Sequence, residues 1–144
     1  MGRIAIELPE TFSFYIKIPI RITDVNYGGH VGNDSILSII HEARISFLHW
    51  NNYSEKNLGG TGLIMGDVAI VFKNELFYGD DLTVRVAVTD FSRSTFDFIY
   101  KLDKEENGKI IEVAHAKTGM VCFDYEKRKV TAIPEEVRAK FTNY

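Results

Sequence analysis

Residues 21–34 read RITDVNYGGHVGND, and several kinds of reactivity crowd into this short stretch. Asp24 and Asp34 are carboxylates. His30 is an imidazole, the side chain whose charge ordinarily changes near neutrality. Either type can take a proton from water or attack a carbonyl carbon. Asn26, at the centre, can only donate and accept hydrogen bonds, because its amide has no basic lone pair at neutral pH. Gly28 and Gly29 precede a helix, and backbone N–H groups near a helix start can stabilise a developing oxyanion. The donors of that kind here are those around Gly29, His30 and Val31. A polar, glycine-rich loop set between two apolar elements is a natural place for a reactive site.

The flanking elements must hold this loop. Upstream, TFSFYIKIPIRI (residues 11–22) alternates, with Phe12, Phe14, Ile16, Ile18, Ile20 and Ile22 on one face. That period predicts a half-buried strand, and Pro19 places it at an edge or a bulge. Downstream, Asn33 or Asp34 caps a predicted helix running to Trp50, on which Ile36, Ile40, Ala43 and Phe47 recur at helical spacing. Leu37, Ile39 and Leu48 widen its apolar stripe past half the circumference, so other structure should wrap it. From Gly62 onward the pattern returns to strands: GLIMGDVAIVFK, DLTVRVAVTDF and STFDFIYKLD, then IIEVAHAKTGMVCFDY as one bent strand or two. Short turns, FYGDD and EENGK, join them as antiparallel neighbours, and IPEEVRAKF closes the chain as a short helix. The expected architecture is α+β, one domain over residues 1–144, with a curved antiparallel sheet wrapped around one long central helix. Bare sheet edges would favour edge-to-edge dimers.

Composition narrows the function. The chain has 144 residues, 45% hydrophobic, enough for a real core. A net charge of -3 argues against a nucleic-acid footprint, although it leaves room for a local phosphate site. No window approaches a membrane span, and MGRIAIELPE has no secretory apolar core. The one cysteine, Cys122, sits in the apolar run GMVCF and reads as a buried small hydrophobe. A reducing, cytoplasmic compartment is expected.

The segment RITDVNYGGHVGNDSILSIIHEARISFL resembles the opening motif of the hotdog-fold acyl-CoA thioesterases of the 4-hydroxybenzoyl-CoA thioesterase-like group. Arg21, Asp24, Gly29, Glu42, Ala43 and Arg44 match it. Gly79 and Asp80 in FKNELFYGDDLTV match a later strand and turn, and AHAKTGMVCFDYEKRKVTAIPEEVR is similar to the last strand and closing turn. The resemblance implies a hotdog fold, a homodimer or homotetramer, and hydrolysis of an acyl-CoA or acyl-carrier thioester. It implies no cofactor, the coenzyme A moiety belonging to the substrate. It also implies a catalytic carboxylate at position 26, where this chain has Asn26.

Another group must then supply the base. Glu42 is one candidate, since related enzymes of the other main branch carry their acid on this helix; its alternative is an ion pair with Arg44. His30 is a second candidate, with a packing role as its alternative. Asp24 matches an acid that braces the loop, and Asp34 reads as a helix cap. Asp67 shares a strand face with Met65, Ala69 and Val71 and is expected to point inward, toward a site shared across a dimer. His41, His49 and His115 read as structural. Lys73, Arg93, Ser94 and the cluster Lys127, Arg128, Lys129 could bind the phosphates of coenzyme A. Phe14, Phe77, Tyr78, Phe96 and Phe98 offer apolar surface to an acyl chain, or form core. With no acid at position 26, the chain could instead bind an acyl thioester without cleaving it. A dehydratase using His30 is the remaining reading, and its branch usually carries a different loop.

Overall fold

A computed structural model describes residues 3–144. Strand β1 (Phe14–Pro19) leads through a 3-10 turn (Ile22–Asp24) and the glycine loop into helix α1 (Asn33–Trp50). Strands β2 (Gly62–Phe72), β3 (Asp81–Thr89), β4 (Thr95–Glu106) and β5 (Lys109–Asp124) follow, then a short β6 (Lys129–Val130) and helix α2 (Glu135–Thr142). All pairings are antiparallel, in the order β1-β3-β4-β5-β2 with β6 against the end of β5. The α+β expectation holds, and the apolar run from Ile110 forms one strand rather than two.

Strand β1 is shorter than its alternation predicts. Phe14, Ile16 and Ile18 pack on the core while Tyr15 and Lys17 face out. Pro19 pairs with Asp81 at the last ladder position, as an edge strand permits. The chain then tightens into the 3-10 turn, which leaves Ile22 exposed although Ile20 stays buried.

Helix α1 lies against the sheet through Ile36, Ile39, Ile40, Ala43, Phe47 and Leu48. Phe47 is the hub: its ring centroid stands 5.6 Å from Phe14, 5.6 Å from Phe98 and 5.4 Å from Phe141. The opposite stripe, with Leu37 and Ile45, stays open because one sheet covers only one side of a helix. Within the buried stripe sits one charge. Arg44 Nε donates to Glu55 Oε2 at 2.9 Å, and a second guanidinium N–H donates to the Tyr100 hydroxyl at 3.2 Å. That hydroxyl meets Thr118 Oγ1 at 2.8 Å. Burial weighs against the Arg44 charge, but the Tyr100 oxygen and Glu55 outweigh it, leaving its pKa above the ordinary arginine value. Burial likewise pushes the Tyr100 hydroxyl up, so it stays a neutral hydroxyl inside the network.

Truncation at the hub tests this packing. Phe47→Ala should cost about 3–5 kcal/mol in a urea titration, with an unchanged slope. A loss below about 1 kcal/mol would mean that α1 does not depend on this contact.

Candidate functional site

The loop between β1 and α1 is held at both ends by backbone bonds. Val25 and Val31 form an isolated antiparallel bridge, and Asn26 N–H donates to the His30 carbonyl at 2.9 Å. Val31 N–H donates to the Leu76 carbonyl at 2.8 Å, tying the loop to the β2–β3 connection. Asp24 is a brace: buried, it accepts the Arg21 backbone N–H at 2.9 Å and contacts the Arg21 guanidinium at 3.4 Å. Gly29, at φ +86°, supplies the left-handed backbone that lets its N–H turn back to the Asn26 carbonyl at 3.1 Å.

These bonds move the free donors away from the expected place. The Gly29 and Val31 N–H groups are already engaged. Those of His30, Asn33 and Asp34 have no acceptor among the described residues. The last two belong to the first turn of α1, whose N–H groups lack intrahelical partners and carry the positive end of the helix dipole. The N-cap is Gly32, not Asn33 or Asp34, so no side chain caps this helix.

Asn26 is oriented by its own turn. Its Oδ1 accepts the Gly28 N–H at 2.9 Å, which fixes which end of the amide is oxygen. The Nδ2 end faces the helix start, 3.6 Å from where a methyl group on Gly32 would stand. His30 Nδ1 lies 3.1 Å from the Val31 carbonyl. A carbonyl can only accept, so Nδ1 carries the proton and the lone pair of the neutral ring sits on Nε2. His30 also lines a cleft of about 270 Å³ with Val31, Asn33, Phe72, Lys73 and Glu75.

Other expected site residues stand elsewhere. Glu42 is exposed, and its one side-chain partner is the Ser46 hydroxyl at 3.5 Å. It does not pair with Arg44, which Glu55 claims from the loop beyond the helix. Glu42 opens instead onto a groove with Ile16, Ile18, Lys17 and Arg21, apart from the His30 cleft. Asp67 is not inward. It sits on the exposed side of a bulge in β2, where Oδ1 accepts the Gly119 N–H at 3.0 Å. Lys73 does border the His30 cleft. Arg93, Ser94 and Lys127–Lys129 lie at the far end of the sheet, where Cys122 N–H donates to the Ser94 carbonyl at 2.9 Å. The length of β3 separates them from the loop, roughly 25–30 Å at strand rise. Phe96 and Phe98 are core, whereas Phe77 and Tyr78 are exposed. Cys122 is buried, and burial pushes its thiol up. Among the described residues no three His, Cys, Asp or Glu side chains converge as a metal site, and no helix is long and apolar enough to cross a membrane.

Residues 20–141 match the sequence profile of the Thioesterase-like superfamily, from the end of β1 through α2. The chain belongs to that superfamily. A curated protein of Aquifex aeolicus (strain VF5), named "Putative esterase", is 27% identical over 126 residues, covering 86% of this chain and 94% of its own. The solved 1,4-dihydroxy-2-naphthoyl-CoA thioesterase from Synechocystis is similar at TM-score 0.80 and 25% identity, over 90% of this chain and 96% of that one. The 4-hydroxybenzoyl CoA thioesterase from Pseudomonas sp. strain CBS-3 shares the fold at TM-score 0.78 and 16% identity, over 90% of this chain and 99% of that one. The thioesterase-like chain therefore has the hotdog fold.

The positive φ of Gly29 carries a cost that can be measured. A Cβ there meets nothing within 4 Å, so Gly29→Ala should pay only the strain of a left-handed backbone, about 1–2 kcal/mol, in a denaturant titration. An unchanged midpoint would mean that the loop does not hold this conformation.

Proposed function

We propose that this protein hydrolyses an acyl-CoA-type thioester to the free acid and thiol. One observation carries the reading beyond the superfamily: the N–H groups of His30, Asn33 and Asp34 have no acceptor among the described residues, and the donor end of Asn26 lies by Gly32 at the start of α1. Donors fixed in advance at the place where a carbonyl oxygen gains charge are worth a few kcal/mol of barrier each. The amide of Asn26 adds a neutral donor for the carbonyl or for the attacking water. The loop also offers basic atoms without protein partners among the described residues, whereas Glu42 opens onto a separate groove and in this reading takes no part in the reaction.

The working unit in this reading is a homodimer. The outer edge of β2 is unpaired over 11 residues and exposes Met65, Val68 and Phe72. Such an edge invites a second strand, and a two-fold axis would pair it with its own copy antiparallel. The Phe72 end of one chain would then meet the Gly62 end of the other. In each chain Leu63 pairs with Cys122, which is bonded to Ser94. The partner's Arg93, Ser94 and basic turn would thus approach the His30–Lys73 cleft, where guanidinium and ammonium groups suit the phosphates of coenzyme A.

Purified protein should release free thiol from at least one member of a panel of aliphatic and aromatic acyl-CoA esters. Glu42→Gln should keep turnover within about threefold, against a loss of ~10²-fold or more for a general base. Binding of CoA esters with no turnover at any chain length would make the protein a binder instead. Val68→Arg should convert a dimer to a monomer in sedimentation and abolish turnover; a dimer that survives places the interface elsewhere.

A further inference from the structure

We propose that Asp34 is the carboxylate that takes the proton from the hydrolytic water, so that the acid missing at position 26 is supplied from the first turn of α1. This rests on the hydrolytic reading above. The case starts from Gly32. A methyl group on Gly32 would stand 2.6 Å from Asp34 Oδ1 and 3.6 Å from Asn26 Nδ2. Both side chains, on exposed residues, therefore stand over the same face of Gly32, and a Cβ at position 32 would displace the carboxylate.

The two groups face that glycine with complementary chemistry. Gly28 N–H holds the oxygen end of Asn26, so the donor end is the one turned toward Asp34. Asp34 makes no side-chain hydrogen bond or ion pair among the described residues, and Gly32 already occupies the capping position. Of the other carboxylates near the loop, Asp24 is bound to Arg21, Glu42 opens onto the β1 groove, and Glu75 lines the neighbouring His30 cleft. His30 Nε2 lies by Gly28, on the oxygen side of the amide, 3.5 Å from where a methyl group on that glycine would stand. Asp34 alone lies on the donor side, next to the free N–H groups of its own helix turn.

The step closes in atoms and charge. Water gives a proton to the Asp34 carboxylate as its oxygen adds to the thioester carbon. The carbonyl oxygen becomes an anion, held by the helix-start N–H groups and the Asn26 amide. When the carbonyl re-forms, the C–S bond breaks, and the leaving sulfur takes the proton back from Asp34. The products are the free acid and the thiol, with Asp34 ionised again.

The test moves the carboxylate. With a CoA ester that the native protein hydrolyses, Asp34→Asn should lower kcat by about 10²-fold or more and leave KM within about threefold. The double variant Asp34→Asn/Asn26→Asp, which moves the acid to the other side chain over Gly32, should recover at least tenfold of that loss. A merely structural Asp34 would not be rescued from position 26. Circular dichroism and melting of Asp34→Asn should match the native protein. Single variants His30→Ala and Glu75→Gln, on the neighbouring cleft, run in parallel. Turnover within threefold of native in Asp34→Asn overturns the assignment, as does a loss of kcat confined to His30→Ala or Glu75→Gln. No turnover by the native protein overturns the hydrolytic reading, and this assignment with it.

Discussion

The docking of one face of α1 fixes everything else in this molecule. Ile40, Ala43, Phe47 and Leu48 are fully buried. Helix packing against the sheet sets the position of the helix axis, and therefore of its first turn. Arg44, in the same stripe, is tolerated only because Glu55 and Tyr100 meet it. With the helix seated, the Val31–Leu76 bond and the Asp24 brace leave the preceding loop little freedom. The donors, the amide and the carboxylate of the candidate site all hang on that seating.

Asn26 and Asp34 make sense together. Two carboxylates over one face of Gly32 would repel, and one of them would hold its proton and lose its basicity. An amide at position 26 avoids that conflict. It offers a neutral donor toward Asp34 while its oxygen satisfies the Gly28 N–H. The absence of an acid at one position and the presence of one eight residues on then describe a single arrangement.

Much of the fold was legible because it is periodic. Period-two alternation marked the long strands, helical spacing marked α1, and Pro19 marked an edge. The misplacements came where partners are distant in sequence. Nothing local says that Arg44 turns to Glu55 rather than Glu42, or that Asp67 finds the Gly119 N–H across a bulge. The donors moved for the same reason: the Val31 N–H is taken by Leu76, from another connection. Asp34 reads as a cap because its residue type favours one, and only the backbone, extended at Gly32 just before the helix, shows that the glycine holds that place. Three neighbouring glycines are visible, but the close approach of the Asp34 carboxylate that Gly32 permits is not.

The claim that the reaction centre lies over Gly32 is tested most directly by a crystal structure with a non-hydrolysable acyl-CoA analogue. The carbonyl oxygen should lie within hydrogen-bond distance of the Asn33 or Asp34 N–H, with the carbonyl carbon facing the Asp34 carboxylate. An analogue whose carbonyl sits in the β1 groove beside Glu42, away from Gly32, would contradict the account.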